Sequence, residues 1–294
     1  MVEMFENLET ELKIRGFSEK TIKAYVYHNQ QFLKFLKKQP KRGVQTALVK
    51  GDNSLTFQNV KEADLKAFLA YLMGERGVSP ASANLALSAL KFFYLDMLKK
   101  PIFNDIKLPK IEKKLPTVLS KQEIKAILDV ISNKKHKLLV EFLYSSGLRV
   151  SEAVNMKIDD IDIVDKTAIV KFGKGKKERN VILSDALIKD MVDYLGNRQD
   201  KNPYIFNIKK RHISTRQAQK VVKEAAFKAG IKKRVFCHAL RSSFATHLLE
   251  SGVDIRVIQE LLGHSNLSTT QIYTKVSKEQ IKKVKSPLDF MPTT

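Results

Sequence analysis

Apolar positions recur at helical spacing through residues 1–110. In "SEKTIKAYVYHNQQFLKFLKK", Ile22, Tyr25, Val26, Phe32, Leu33, Phe35 and Leu36 fall on one face of a helix, and "LETELKIRG" before it follows the same rule. Pro40, Gly43 and Gly51 break the pattern in "QPKRGVQTALVKGDNSL", which predicts a loop. A third helix is expected in "NVKEADLKAFLAYLMGER". A fourth opens with Ser79 as N-cap and Pro80 at its first position, then runs through "ASANLALSALKFFYLDML".

The period then fails across "KKPIFNDIKLPKIEKKLPTVLS", which carries three prolines. This divides the chain into a helical domain over 1–110, a linker over 111–118 and a second domain over 119–294. Ser120 and Glu123 have capping-box spacing, and Leu119 can staple onto Ile124. Beyond them, "KLLVEFLYSSGLRVSEAVNMKIDDI" predicts a helix, a break at Gly147 and a short helix. "TAIVKF" and "ERNVIL" are β-rich runs around the turn "GKGKK", a hairpin. Helices are expected from there to the loose tail "KSPLDFMPTT". Three of them lie in "HALRSSFATHLLESGVDIRVIQELLGHSNLSTTQIYTKV", the last burying Ile272 and Val276 and turning Tyr273 to another side. The fold class expected is mainly α with a small β-hairpin or sheet, in two domains.

Composition narrows the function. The 294 residues are 43% hydrophobic and 29% charged, a folded globular balance. No apolar run approaches the roughly 18–20 residues that span a bilayer, and "MVEMFENLET" is acidic and polar rather than like a secretory leader. A cytoplasmic location is expected. The single cysteine, Cys237, supports neither a disulfide framework nor a multi-thiolate zinc site, and reads as a small semi-buried residue. The net charge of +22 attracts polyanions, nucleic acid foremost. A membrane surface fits less well, because no long basic amphipathic helix stands out. Up to Glu112 there are 18 basic and 12 acidic residues, and beyond it 35 and 19, so both parts are basic.

Several polar residues stand where packing alone does not require them. Arg149 follows the Gly147 break at a helix start, where a guanidinium can grip two phosphate oxygens, and Glu152 lies on the same face three residues on. Taken alone, that pair reads first as a surface ion pair. His238 and Arg241 share one face of a helix whose apolar stripe is Leu240, Phe244 and Leu248, while His247 reads as structural. Gly263 has the C-capping role and His264 stands just past it. Tyr273, taken alone, is an ordinary half-buried tyrosine. Lys174 sits between Gly173 and Gly175, which let its turn approach a ligand closely. Motifs of zinc proteases, nucleotide-binding loops and serine hydrolases are absent, and the acidic residues do not cluster as a two-metal site requires.

In this order, "GLRVSE", "GKGKKER", "HALR" and "FATHLLESGVDIRVIQELLGHSNLSTTQIYT" resemble the tyrosine recombinase (phage integrase) family, most closely its Xer branch, over essentially the whole chain. The resemblance implies a helical SAM-like core-binding domain followed by a mixed α/β catalytic domain. It implies that Tyr273 attacks a DNA phosphorus to give a 3′-phosphotyrosine and a free 5′-hydroxyl. Arg149 and Arg241 would bind the non-bridging oxygens, and Lys174 would protonate the leaving oxygen. His238 would act as general base, His264 would donate to the phosphate, and Glu152 would support the site from behind. No metal and no cofactor are implied. The implied partners are double-stranded DNA and further copies of the chain, a tetramer on paired sites, with an accessory activator left open. The tail after Lys275 resembles the segment that relatives dock onto a neighbouring subunit. One departure is visible: the family often reads His-x-Leu-Arg-His, whereas Ser242 follows Arg241 here, so local packing is expected to differ with activity intact.

The role implied is site-specific recombination that resolves chromosome or plasmid dimers. The alternatives are a phage or mobile-element integrase, a type IB topoisomerase-like relaxing enzyme, and a DNA-binding architectural protein without catalysis.

Overall fold

The computed structural model describes residues 2–38, 60–103, 106–107, 115–171 and 178–274. Two compact units divide the chain, Met1–Lys113 and Lys114–Thr294. The protein is mainly helical, with two small antiparallel sheets. No helix among the described residues is long and apolar enough to cross a membrane.

The first unit packs α1 (Val2–Ile14), α2 (Glu19–Lys38), α3 (Glu62–Gly74) and α4 (Pro80–Lys91). Ser79 accepts from the Ser82 amide at the start of α4, with Pro80 at its first position, so the amide that proline lacks is one the helix start leaves unbonded. The same helix runs into a wider π turn over Phe92–Met97, which swings Phe92, Phe93 and Tyr94 inward. Their rings join Phe32 and Phe68, with Phe32 meeting Tyr94 edge-on at 6.0 Å. The buried Asn29 donates through Nδ2 to the Ala89 carbonyl at 3.1 Å and locks α2 against α4.

The second unit begins with α5 (Lys121–Asp129), α6 (Lys134–Ser145) and α7 (Val150–Asn155). Ser120 and Glu123 form the capping box expected of them. Three strands follow in the order β1 (Ile161–Asp162), β2 (Thr167–Val170) and β3 (Arg179–Ile182). Pairing of Thr167 with Ile182 and Val170 with Arg179 turns Ala168, Val170 and Val181 into the core. The tip of this hairpin, with Lys174, lies outside the described residues.

Helices do not simply continue from there. After α8 (Asp185–Gly196), β4 (Asn207–Ile208) and β5 (Arg211–His212) form a second hairpin, where only helix was expected. Its strands are two residues long, and its turn uses Lys209 at φ +51° rather than glycine or asparagine, so the usual signals are missing. Burial of Ile205, Phe206 and Ile213 anchors it.

Then come α9 (Thr215–Lys228), α10 (Cys237–Glu250) and α11 (Ile255–Leu262). Almost every side of α10 is covered, including polar Ser242, Ser243 and Thr246. Ser243 Oγ accepts from the Leu119 amide at 2.8 Å and donates to the Ala239 carbonyl at 2.8 Å, which ties the start of the unit to its central helix.

The last described stretch corrects the expected third helix of this region. Leu267–Thr269 is a short 3₁₀ turn, and turns continue to Thr274. The amide of Thr270 donates to Leu267 and that of Tyr273 to Thr270, so the chain repeats every three residues. A three-residue repeat stacks Thr270 and Tyr273 on one face, and they are 1% and 3% exposed. Tyr273 is therefore buried, against Phe244, Ala245, Leu249, Ile258 and Leu262, rather than turned away from the core. Val276 lies outside the described residues.

Candidate active site

The break after α6 brings the first arginine into place. Gly147 has φ +59°, and a Cβ there would lie 2.3 Å from Phe244 Cδ1, so the chain passes α10 at a distance only glycine allows. The next turn starts α7 with Arg149 as its N-cap. Glu152 Oε2 accepts from the Arg149 amide at 2.8 Å, and Oε1 from its Nη1 at 2.7 Å. One carboxylate thus caps the Arg149 amide at the helix start and pairs with the same residue's guanidinium.

Arg241 reaches the same place from α10, with 1% of its side chain exposed. Its Nη1 donates to the Gly147 carbonyl at 2.6 Å, and its Nη2 to the Leu262 carbonyl at 2.6 Å and to Nε2 of His264 at 3.1 Å. Its Nε is buried without a hydrogen-bond partner. Burial and the nearby Arg149 bring the guanidinium pKa down to about 10, against the opposing pull of Glu152, so it stays charged at neutral pH.

Gly263 caps α11 in the left-handed region and releases His264 toward the arginines. Nδ1 of His264 faces Thr270 Oγ1 at 2.9 Å. Burial, then the charges of Arg241 and Arg149, push this imidazole down to about 4. Its ring stacks with Tyr273 at 6.4 Å and 20°. Burial raises the Tyr273 phenol, opposed by Arg241, Ser242 and Arg149. Ser242 Oγ faces the phenol but makes no hydrogen bond of good geometry.

His238 opens α10 at the exposed rim, stacked on Phe236 at 6.5 Å. Desolvation by the surrounding protein, then Arg241 and Arg149, lower its pKa, so the neutral ring is favoured at pH 7. Cys237 beside it is buried rather than half-exposed, its thiol pushed up to about 11 by burial. His247 is spent on Tyr144, whose hydroxyl lies 2.9 Å from its Nδ1.

Six of the seven residues singled out from the sequence thus stand in the described part of one unit. Direct contacts join Arg149 to Glu152 and Arg241 to His264, while Tyr273 stacks on His264 and His238 lies within the field of both arginines. Lys174 lies outside the described residues.

The sequence reading missed Arg179, at the start of β3. Its Nη1 and Nη2 donate to the two oxygens of Glu152 at 3.0 and 2.7 Å, and its Nε to the Leu261 carbonyl at 2.8 Å. Burial pushes the Glu152 carboxyl up, but Arg179 and then Arg149 outweigh it and bring it down to about 2. Among the described residues, no three His, Cys, Asp or Glu side chains stand together as a metal site.

The arrangement is a buried carboxylate holding guanidiniums beside an imidazole and a phenol. It can bind a tetrahedral anion and place a nucleophile next to it.

The chain is similar to known proteins over most of its length. A model of the "Phage integrase family" matches residues 117–280, and one of the "Phage integrase, N-terminal SAM-like domain" matches 4–103. Tyrosine recombinase XerA of Pyrococcus horikoshii is 38% identical over 284 residues, covering 95% of this chain and 91% of that protein. Tyrosine recombinase XerD of Oceanobacillus iheyensis is 32% identical, covering 91% of each. Among solved structures, XerH site-specific recombinase bound to palindromic difH substrate, a post-cleavage complex, aligns at TM-score 0.72 and 27% identity over 95% of this chain and 83% of that one.

Proposed function

The chain belongs to the phage integrase family, as a Xer-like tyrosine recombinase that breaks and rejoins DNA at specific sites, and from that premise we propose that Tyr273 is its nucleophile on double-stranded DNA. The phenolic oxygen attacks the phosphorus and the bond to the 5′-oxygen breaks. A 3′-phosphotyrosine and a free 5′-hydroxyl result. The 5′-hydroxyl of another strand reverses the step, so the ester keeps the backbone bond without an external energy source.

A phenol with a pKa raised by burial is a poor nucleophile. His238, neutral at pH 7, is suited to take its proton. Arg149 and Arg241 bind the non-bridging oxygens and offset the charge of the five-coordinate transition state, a task worth about 3–4 kcal/mol per donor. Their geometry is set beforehand by the Glu152 carboxylate and by carbonyls, so little reorganisation is needed. His264 contributes a hydrogen bond to the phosphate once its Nε2 carries a proton, which a neighbouring dianionic transition state favours. Lys174 delivers a proton to the leaving 5′-oxygen.

The observation that carries this reading is Arg241, a guanidinium buried to 1% exposure yet with Nε unspent, beside His264 and Tyr273. Residues 1–110 act as a core-binding domain, and 119–294 as the catalytic domain after a linker over 111–118. Four copies assemble on two duplexes, the tail after Lys275 reaching a neighbour, in the cytoplasm, to resolve dimers of circular DNA.

The test is to incubate the protein with supercoiled plasmids carrying fragments of its source chromosome and to stop with detergent. Protein-linked DNA with a free 5′-hydroxyl, absent with Tyr273→Phe, is the expected result. An adduct that persists in Tyr273→Phe removes the nucleophile assignment. Relaxation without exchange between duplexes points to a topoisomerase-like activity instead.

A further inference from the structure

The C-terminal end of α11 offers three successive carbonyls, and a different arginine takes each: Arg179 binds Leu261, Arg241 binds Leu262 and Arg149 binds Gly263. This is the end of a helix where carbonyls lack intrahelical partners and cations are favoured. Two of the three, Arg149 and Arg241, are the arginines assigned above to the phosphate. Arg179 is different. All three of its guanidinium nitrogens are spent within the protein, two on Glu152 and one on Leu261, and its side chain is 10% exposed.

Glu152 is correspondingly shared. Oε1 accepts from Nη1 of both Arg149 and Arg179, and Oε2 from the Arg149 amide and Arg179 Nη2. The Arg179 side chain also lies against Gly263, where an added Cβ would come within 2.8 Å of its Cδ. One side chain therefore joins β3, the start of α7 and the α11 end that carries His264.

We propose that Arg179 is a positioning residue for strand cleavage: it fixes Glu152, and through Glu152 the Arg149 guanidinium, in register with the carbonyls that seat Arg241. It does not touch DNA. The proposal rests on the phosphate-clamp reading of Arg149 and Arg241. A planar fork is required, because a lysine ammonium cannot bond both carboxylate oxygens and the carbonyl at fixed angles.

The experiment measures single-turnover cleavage of a nicked oligonucleotide duplex carrying the position mapped with the unsubstituted protein. The scissile linkage is either the natural phosphate or a methylphosphonate, which lacks one non-bridging oxygen and its charge. Arg149→Ala is the reference: it loses about 100-fold or more on phosphate and much less on the neutral linkage. Arg179→Gln is expected to show the same selective relief, with about a 100-fold loss on phosphate. Arg179→Lys, which keeps the charge, recovers only part of the rate. Arg179→Gln added to Glu152→Gln costs little more than Glu152→Gln alone, because both break one linkage.

A mere folding role gives a different result, an equal loss on both linkages, and that overturns the proposal, as does an Arg179→Gln enzyme of normal rate. Should Arg179→Gln fail to fold, Arg179→Lys carries the same comparison. If Arg149→Ala itself gains nothing from the neutral linkage, the phosphate-clamp reading fails, and this outcome is distinct from relief of Arg149→Ala without relief of Arg179→Gln.

Discussion

Arg241 donates through Nη2 to Nε2 of His264 at 3.1 Å. A guanidinium has no acceptor atom, so Nε2 accepts and the imidazole proton sits on Nδ1, toward Thr270 Oγ1 at 2.9 Å. The ring is neutral, in keeping with a pKa pushed down to about 4 by burial and the two arginines. Nitrogen-15 NMR of the free protein should show His264 protonated on Nδ1 at pH 7 and titrating near 4, with the value rising when vanadate or DNA occupies the site. A free protein with its proton on Nε2 would contradict the assignment. Since the unfolded ring titrates near 6.5, the folded state binds fewer protons between about 4 and 6.5. His264 therefore costs stability as pH falls through that window, and His264→Asn should flatten the decline.

Glu152 works in the opposite sense. Its folded pKa of about 2 lies below the unfolded value, so its stabilisation is complete above about 4.5 and is lost as pH falls toward about 2. The depression corresponds to about 3 kcal/mol, for a carboxylate with 4% of its side chain exposed. Glu152→Gln leaves Arg149 and Arg179 without their carboxylate and is expected to lower unfolding free energy by about 3 kcal/mol or more at pH 7. Urea denaturation of both proteins checks this, and a loss under about 1 kcal/mol would mean that the pair behaves as a surface bridge.

These two residues also show what the sequence could reveal. Arg149 and Glu152 are legible because a helix start after the Gly147 break and a three-residue same-face spacing coincide. His238, Arg241 and His264 were legible as polar groups at helix ends. Arg179 was not, because an arginine at the start of a short strand looks like any solvent-facing residue, and its partners Glu152 and Leu261 are 27 and 82 residues away. An α-helical period turns Tyr273 away from the core, whereas the three-residue repeat of the chain here turns it inward. Helix existence is a local property, whereas strands of two residues such as β4 and β5 depend on tertiary burial of Phe206 and Ile213. That dependence hid the second hairpin.

Gly147 and Gly252 separate backbone strain from crowding. Both have positive φ, +59° and +89°, but a Cβ at Gly147 meets Phe244 while one at Gly252 meets nothing within 4 Å. Gly252→Ala is expected to cost about 1–2 kcal/mol from the backbone alone. Gly147→Ala adds about 1–3 kcal/mol of overpacking and displaces the carbonyl that holds Arg241. Thermal unfolding should rank the variants in that order, and cleavage should fall only in Gly147→Ala. Equal effects on stability and activity would mean that Phe244 yields freely.

The charge of +22 and the pairing of Arg179 within the protein make a prediction about salt that sets the surface apart from the site. Affinity gained by releasing counterions belongs to cations that are free in solution and become paired on the phosphates. Arg179, 10% exposed and bonded to Glu152, is already paired before DNA arrives. Cations on the outer surface of both units supply that gain instead. Binding to duplex DNA, followed by fluorescence anisotropy between about 50 and 200 mM salt, should weaken about 10³-fold or more if six or more phosphates are contacted. Arg179→Gln should leave that slope unchanged while cleavage falls, whereas replacing one exposed lysine that meets a phosphate should reduce it by about one. A flat response would contradict DNA as the polyanion, and a slope that falls in Arg179→Gln would place that arginine on the DNA rather than behind the site.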